Sequence, residues 1–69
     1  MGIVYILKLS NGQYYIGSTN DLQRRLSEHN LGKTPSIRYK LPVELVFHQE
    51  FDCIIAARRV ELMLKKRKR

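Results

Sequence analysis

Five side chains of this 69-residue chain are of types that could do chemistry, each with a bland alternative: Tyr5, Tyr15, Arg25, His29 and Glu61. Glu61 is an acid in an otherwise basic C-terminal stretch. It could pair with Lys65 one helical turn on, or hold a hard cation such as Mg²⁺, which is commonly bound by one or two protein carboxylates plus waters and phosphate oxygens. Arg25 could pair with Asp21, or present its planar fork to a phosphate. His29, four residues beyond Arg25, could be a buried structural histidine or a proton carrier. A phenol with its ordinary pKa near 10 is a poor base at neutral pH. Tyr5 and Tyr15 therefore matter only beside a cationic site.

Other chemistries are excluded. No Ser-His-Asp order, P-loop or glycine-rich dinucleotide fingerprint is present, and Ser18 and Thr19 read as turn residues. The six acids stand at 21, 28, 44, 50, 52 and 61, too scattered for a two-metal centre with ions about 4 Å apart. Cys53 is the single cysteine, so neither an internal disulfide nor a CxxC metal site can form. Packing at a helix start is its expected role.

Thirteen basic against six acidic residues give a net charge of +7, which favours a polyanionic partner. Five of those cations form the terminal run Lys65, Lys66, Arg67, Lys68 and Arg69, so residues 1–64 carry only +2. This run is either a solvated helix end or a phosphate-binding tail, and Lys33 is a further candidate contact. No signal peptide or stretch of roughly 20 apolar residues is seen. A single domain over 1–69, cytoplasmic and without a membrane partner, is the expectation.

The elements must position those five residues. Residues 3–9 and 13–17 are rich in β-branched and aromatic side chains and read as strands joined at Ser10-Asn11-Gly12. Register decides the site, because one residue of slip turns a whole strand over. A two-residue loop would put Tyr5 and Tyr15 on opposite faces. A three-residue loop with Gly12 left-handed pairs Leu9 with Gln13 and gathers Tyr5, Leu7, Tyr15 and Gly17 on one face.

Asn20 is placed to cap a helix over about 21–30, with Gln23 completing a weak capping box. On it Leu22, Arg25, Leu26 and His29 share a face, while Arg24 points toward Glu28. Gly32 suits the helix stop. Residues 42–51 read as a third strand, Val43, Leu45 and Phe47 alternating with Glu44, Val46 and His48. Asp52 is placed to cap a last helix from about Cys53 on which Ala57, Glu61, Leu64 and Lys65 form one stripe. The fold class is α+β, a three-stranded antiparallel sheet flanked by helices in the order β-β-α-β-α.

Taken in order, these residues resemble the GIY-YIG nuclease family along nearly the whole chain. The first motif stands as Ile3-Val4-Tyr5 and the second as Tyr15-Ile16-Gly17; Arg25 and His29 follow at the family's spacing, and Ala57, Glu61 and Lys65 match its last helix. Thr19, Asn30, Gly32 and the 42–51 strand resemble the small standalone bacterial type, similar to the N-terminal nuclease domain found in the excinuclease branch of the family. In that branch a lysine follows Tyr-Ile-Gly; here Ser18 does.

The resemblance implies a metal-dependent DNA endonuclease serving repair or recombination, acting on structured or branched DNA and directed by a targeting protein. Glu61 would hold one Mg²⁺ or Mn²⁺, Tyr5 and Tyr15 would orient or deprotonate the attacking water, Arg25 would stabilise the phosphorane, and His29 would assist proton transfer. A non-catalytic nucleic-acid-binding module on the same scaffold is the alternative. The charge alone supports that module, whereas a carboxylate in a basic groove supports the enzyme.

Overall fold

The computed structural model describes residues 1–67, the side chain of Arg67 excepted. Its elements are β1 (Gly2–Lys8), β2 (Tyr14–Thr19), α1 (Leu22–Asn30), β3 (Glu44–Phe51) and α2 (Ile54–Arg67). The sheet is antiparallel with order β2-β1-β3, so β1 is central and β2 is an edge strand. Among the described residues no helix is long and apolar enough to cross a membrane.

The hairpin has the three-residue loop. The Leu9 N–H donates to the Gln13 carbonyl at 2.7 Å, and Gly12 takes a φ of +87°, where a side chain would be strained. Tyr5 therefore lies opposite Gly17 and Leu7 opposite Tyr15. On that face Tyr5, Leu7, Leu9 and Ile37 form a buried cluster covered by Leu22 and Leu26 of α1 and by Val43. The other face carries Val4, Ile16 and Ala57, joined by Ile6, Phe51, Ile54, Val60 and Leu64, so α2 packs there.

Several expected boundaries move by a residue or two, those of β1 and β2 included. Helix α1 is capped by Asp21, not Asn20: Asp21 is extended and its carboxylate accepts from the Arg24 N–H at 3.1 Å. The shift follows from Thr19, whose buried hydroxyl accepts from the Asp21 N–H and donates to the Asp21 carbonyl, turning the chain one residue later. Helix α2 starts at Ile54, so Cys53 rather than Asp52 occupies the cap position, its carbonyl accepting from the Ala57 N–H at 3.3 Å. The Cys53 side chain is exposed, not packed.

Strand β3 begins at Glu44 because Val43 turns inward onto the Leu7 cluster. Its regular alternation is broken: Leu45 pairs with Leu7 but Phe47 pairs with Ile6, leaving Val46 as the extra residue of a β-bulge. Leu45 and Phe47 consequently face opposite sides of the sheet. Val46 and Phe47 stay exposed at 45% and 44%.

Gly2 sets how closely α2 approaches β1. A Cβ there would lie 2.6 Å from the Ile54 Cα and 2.8 Å from the Cys53 carbonyl oxygen, both backbone atoms that cannot swing aside. Gly2→Ala is expected to cost about 1–3 kcal/mol as an overpacked contact, a fall in Tm of several degrees in a domain of this size. Thermal and urea melts check it, and an unchanged midpoint would show that α2 can shift freely.

Candidate active site

The turn through Thr19 and Asp21 carries the chain from the edge strand straight into α1, so the first turn of α1 stands beside the end of β2. Ser18 lies opposite Val4, on the α2 side of the sheet, whereas Tyr15 and Gly17 lie on the α1 side. The two helices thus approach each other around one exposed edge. Between them opens a cleft of about 340 Å³ whose lining includes Tyr5, Tyr15, Arg25 and Glu61, together with Ser18 and Arg58. Four of the five expected residues meet there.

Tyr5 is 1% exposed, yet it lines this cleft because Gly17 has no side chain in the way. A Cβ on Gly17 would fall 2.5 Å from the Tyr5 hydroxyl oxygen. That hydroxyl is 2.8 Å from His29 Nε2, and the Thr34 hydroxyl is 2.7 Å from His29 Nδ1. Neutral imidazole has one N–H and one bare nitrogen. One hydroxyl therefore donates to the ring and the other accepts from it.

His29 itself is fully buried and lies behind Tyr5, outside the cleft lining. Its burial, followed by the nearby Arg25 charge, lowers its pKa below 6.5. Burial pushes the Tyr5 phenol up to about 12, against the opposing pull of the Arg25 guanidinium beside it. Tyr5 is protonated at neutral pH in this state. The rings of Tyr5, Tyr15 and His29 pack at tilted to edge-on angles, with centroids 5.2 to 6.4 Å apart.

Arg25 is half-buried and bound to Glu28 at 2.9 Å, not to Asp21. Asp21 is committed to capping α1, which leaves Glu28 as the acid one turn away. Glu28 raises the pKa of Arg25, and Arg25 is the main cause of the lowered pKa of Glu28. Arg24 shares the same carboxylate more loosely at 3.8 Å.

Glu61 uses both carboxylate oxygens. Ser18 donates its hydroxyl to Oε1 in a short contact, and the Lys65 ammonium lies 2.7 Å from Oε2. The ion pair and the place in the cleft thus coexist. Each oxygen keeps a further lone pair, and among the described residues Glu61 is the one carboxylate in the lining. Among the described residues no three of His, Cys, Asp and Glu gather as a metal-binding group. This donor set fits one hard cation completed by water and a phosphate, and does not fit a closed protein cage.

Lys33, Lys65 and Lys66 lie outside the cleft lining. Lys68 and Arg69 fall outside the described residues, as does the side chain of Arg67. Arg58 is the lining cation that sequence reasoning missed. Its signal was its position three residues before Glu61, on the same side of the helix.

Comparison with known proteins bears on the family and the fold. The family model for the GIY-YIG catalytic domain matches residues 1–69. A UPF0213 protein of Streptococcus pneumoniae serotype 4 is 43% identical over 67 residues, covering 96% of this chain and 68% of that one. One from Streptococcus pyogenes serotype M5 is 42% identical over 66 residues, covering 94% and 72%. The solution NMR structure of a UPF0213 protein from Bacillus halodurans superposes with a TM-score of 0.60 at 35% identity, covering 96% of this chain and 72% of that chain.

The buried imidazole makes stability depend on pH. Its folded pKa lies below the unfolded value of 6.5, so the unfolded chain binds the proton first as pH falls. Stability is full above about pH 6.5 and declines as pH drops from there through the folded pKa. An NMR titration should place the His29 midpoint below 6.5, with the urea midpoint falling over the same window. A midpoint at or above 6.5 would contradict this.

Proposed function

This chain belongs to the GIY-YIG family, and on that premise we propose that it is a DNA endonuclease that hydrolyses phosphodiester bonds with the help of one divalent cation. The observation that carries the reading is the convergence of Tyr5, Tyr15, Arg25 and Glu61, drawn from four separate elements, on a single cleft. A module that only bound phosphate would need the arginines but not a carboxylate facing them. Glu61 would hold the cation, Mg²⁺ or Mn²⁺. When bound, that ion supplies a Lewis acid for the scissile phosphate and its leaving oxygen.

The chain's own residues then divide the remaining work. Arg25, held by Glu28 with its fork toward the phenols, is placed to neutralise charge on the phosphate oxygens as the transition state forms. Tyr15 is the more accessible phenol and orients the attacking water. Tyr5 keeps its proton in the free protein, so its first role is to hold that water by a hydrogen bond, while His29 fixes the direction of its hydroxyl. Deprotonating Tyr5 would need an added positive charge beside it to lower that pKa, since the phosphates of DNA push it the other way. His29 is a positioning residue in this scheme.

One observation favours the binding-module reading: Lys65 and Ser18 already occupy both oxygens of Glu61. The two readings part at Glu61→Gln, which keeps the shape and removes the charge. The nuclease reading expects Mg²⁺-dependent nicking of supercoiled plasmid to be lost, with DNA binding retained or tightened. Arg25→Ala is expected to slow single-turnover cleavage by about 10²–10³ with a smaller loss of binding. Cleavage by Glu61→Gln at the wild-type rate, in a preparation free of other nucleases, would refute this assignment.

A further inference from the structure

A second cleft of about 390 Å³ adjoins the first and shares Ser18, Arg25 and Arg58 with it. It continues past Thr19 and Asn20 and is bounded by Arg24 of α1 and Ile54 of α2. Among the described residues its lining holds three arginines and no carboxylate. Asp21 accepts from the Arg24 N–H as the helix cap, and one carboxylate, Glu28, serves both Arg25 at 2.9 Å and Arg24 at 3.8 Å.

Arg58 is the unbalanced charge. Glu61, three residues on, is the acid a helical arginine would ordinarily take, but its oxygens are held by Ser18 and Lys65. Among the described residues no carboxylate lies within ion-pair distance of the Arg58 guanidinium, and Arg58 is exposed along the wall common to both clefts. Across from it, Asn20 accepts from Arg24 at 3.4 Å, which leans that second guanidinium over the groove. Arg24 keeps only the loose 3.8 Å contact with Glu28, and a planar guanidinium fork without an acid, as at Arg58, is the donor that phosphate oxygens match best.

We propose that Arg58, with Arg24 and Asn20 opposite, forms a second phosphate site that grips the backbone phosphate adjoining the scissile one on the cleaved strand. The identity of that strand rests on the nuclease reading; the anion site does not. Gripping two successive phosphates fixes the direction in which a strand crosses the β2 edge. A backbone held at one phosphate alone could pivot about it.

The test is binding of a labelled DNA duplex bearing a single-stranded flap, measured by anisotropy in EDTA so that no cleavage intervenes. Arg58→Ala is expected to weaken binding about tenfold, the usual scale for one charge-assisted contact, and to lower the slope of log affinity against log salt by about one. Arg59→Ala removes the same charge from a neighbouring exposed position that lines neither cleft, and should cost clearly less. A series of duplexes with one neutral methylphosphonate each should then contain a position that weakens wild type but costs Arg58→Ala nothing more. Arg58→Gln, checked for an unchanged melt, repeats the measurement with the stem retained. Equal losses from Arg58→Ala and Arg59→Ala, or methylphosphonate penalties identical in wild type and Arg58→Ala, would overturn the site. Because nothing in this scan depends on cutting, wild-type protein that fails to cleave with Mg²⁺ or Mn²⁺ refutes the nuclease reading and leaves the anion site to be judged separately.

Discussion

The hydrogen-bonded column Tyr5–His29–Thr34 is the constraint on which the rest of the structure depends. It joins the central strand, the end of α1 and the loop that follows, and all three side chains are at most 8% exposed. Buried polar atoms in a chain this small are tolerated only if each finds a partner, and among the described residues none is left unsatisfied. The column requires Gly17 beneath the phenol, and Gly17 requires the three-residue hairpin that places it opposite Tyr5. A loop choice at Gly12 thus governs whether a phenol reaches the cleft at all.

Glu61 is subject to a different constraint, since it must serve a cleft that lies around the sheet edge from much of its own helix packing. Ala57 and Leu64 anchor α2 to the sheet, while Glu61 turns toward β2. The presence of Ser18 in place of a lysine acquires a physical meaning here. A hydroxyl at that position donates to the carboxylate without adding charge, and the cation that balances Glu61 comes instead from Lys65 on the same helix. A long side chain can leave and return with little cost at an exposed site, so the ion pair is compatible with a carboxylate that also serves a ligand.

The parts of this arrangement that were legible in the sequence are those set by periodicity. Alternation with a three-residue loop, chosen over the two-residue one because the site needs both phenols, placed Tyr5 and Tyr15 on one face, and helical spacing brought Leu22, Arg25, Leu26 and His29 together. The parts that were not legible turn on competition between neighbours of similar chemistry. Asn20 and Asp21 are both good caps, and only the folded Thr19 hydroxyl chooses between them. Arg25 had two acids within one turn, and capping removed Asp21 from the choice. The bulge at Val46 was hidden because apolar residues on both sides of β3 are consistent with either register. Arg58 looked like one more cation in a basic helix, and its distinction, the absence of an acid, exists only once Glu61 is engaged elsewhere.

That last dependence links local ion pairing to the electrostatics of the whole chain. Residues 1–64 carry a net charge of only +2, so a positive groove in the body must come from arrangement rather than from excess. Capping sequesters Asp21, Arg25 and Arg24 share Glu28, and Lys65 and Ser18 take Glu61, which leaves Arg58 on the cleft wall without a competing carboxylate. The terminal run acts over a Debye length of about 8–10 Å and fades with salt. Guanidinium forks in direct contact with phosphate are screened far less, and they impose orientation as well as attraction. A diffuse tail charge can attract a polyanion without orienting it, whereas on the reading proposed above the cleft wall would set which phosphate meets Glu61.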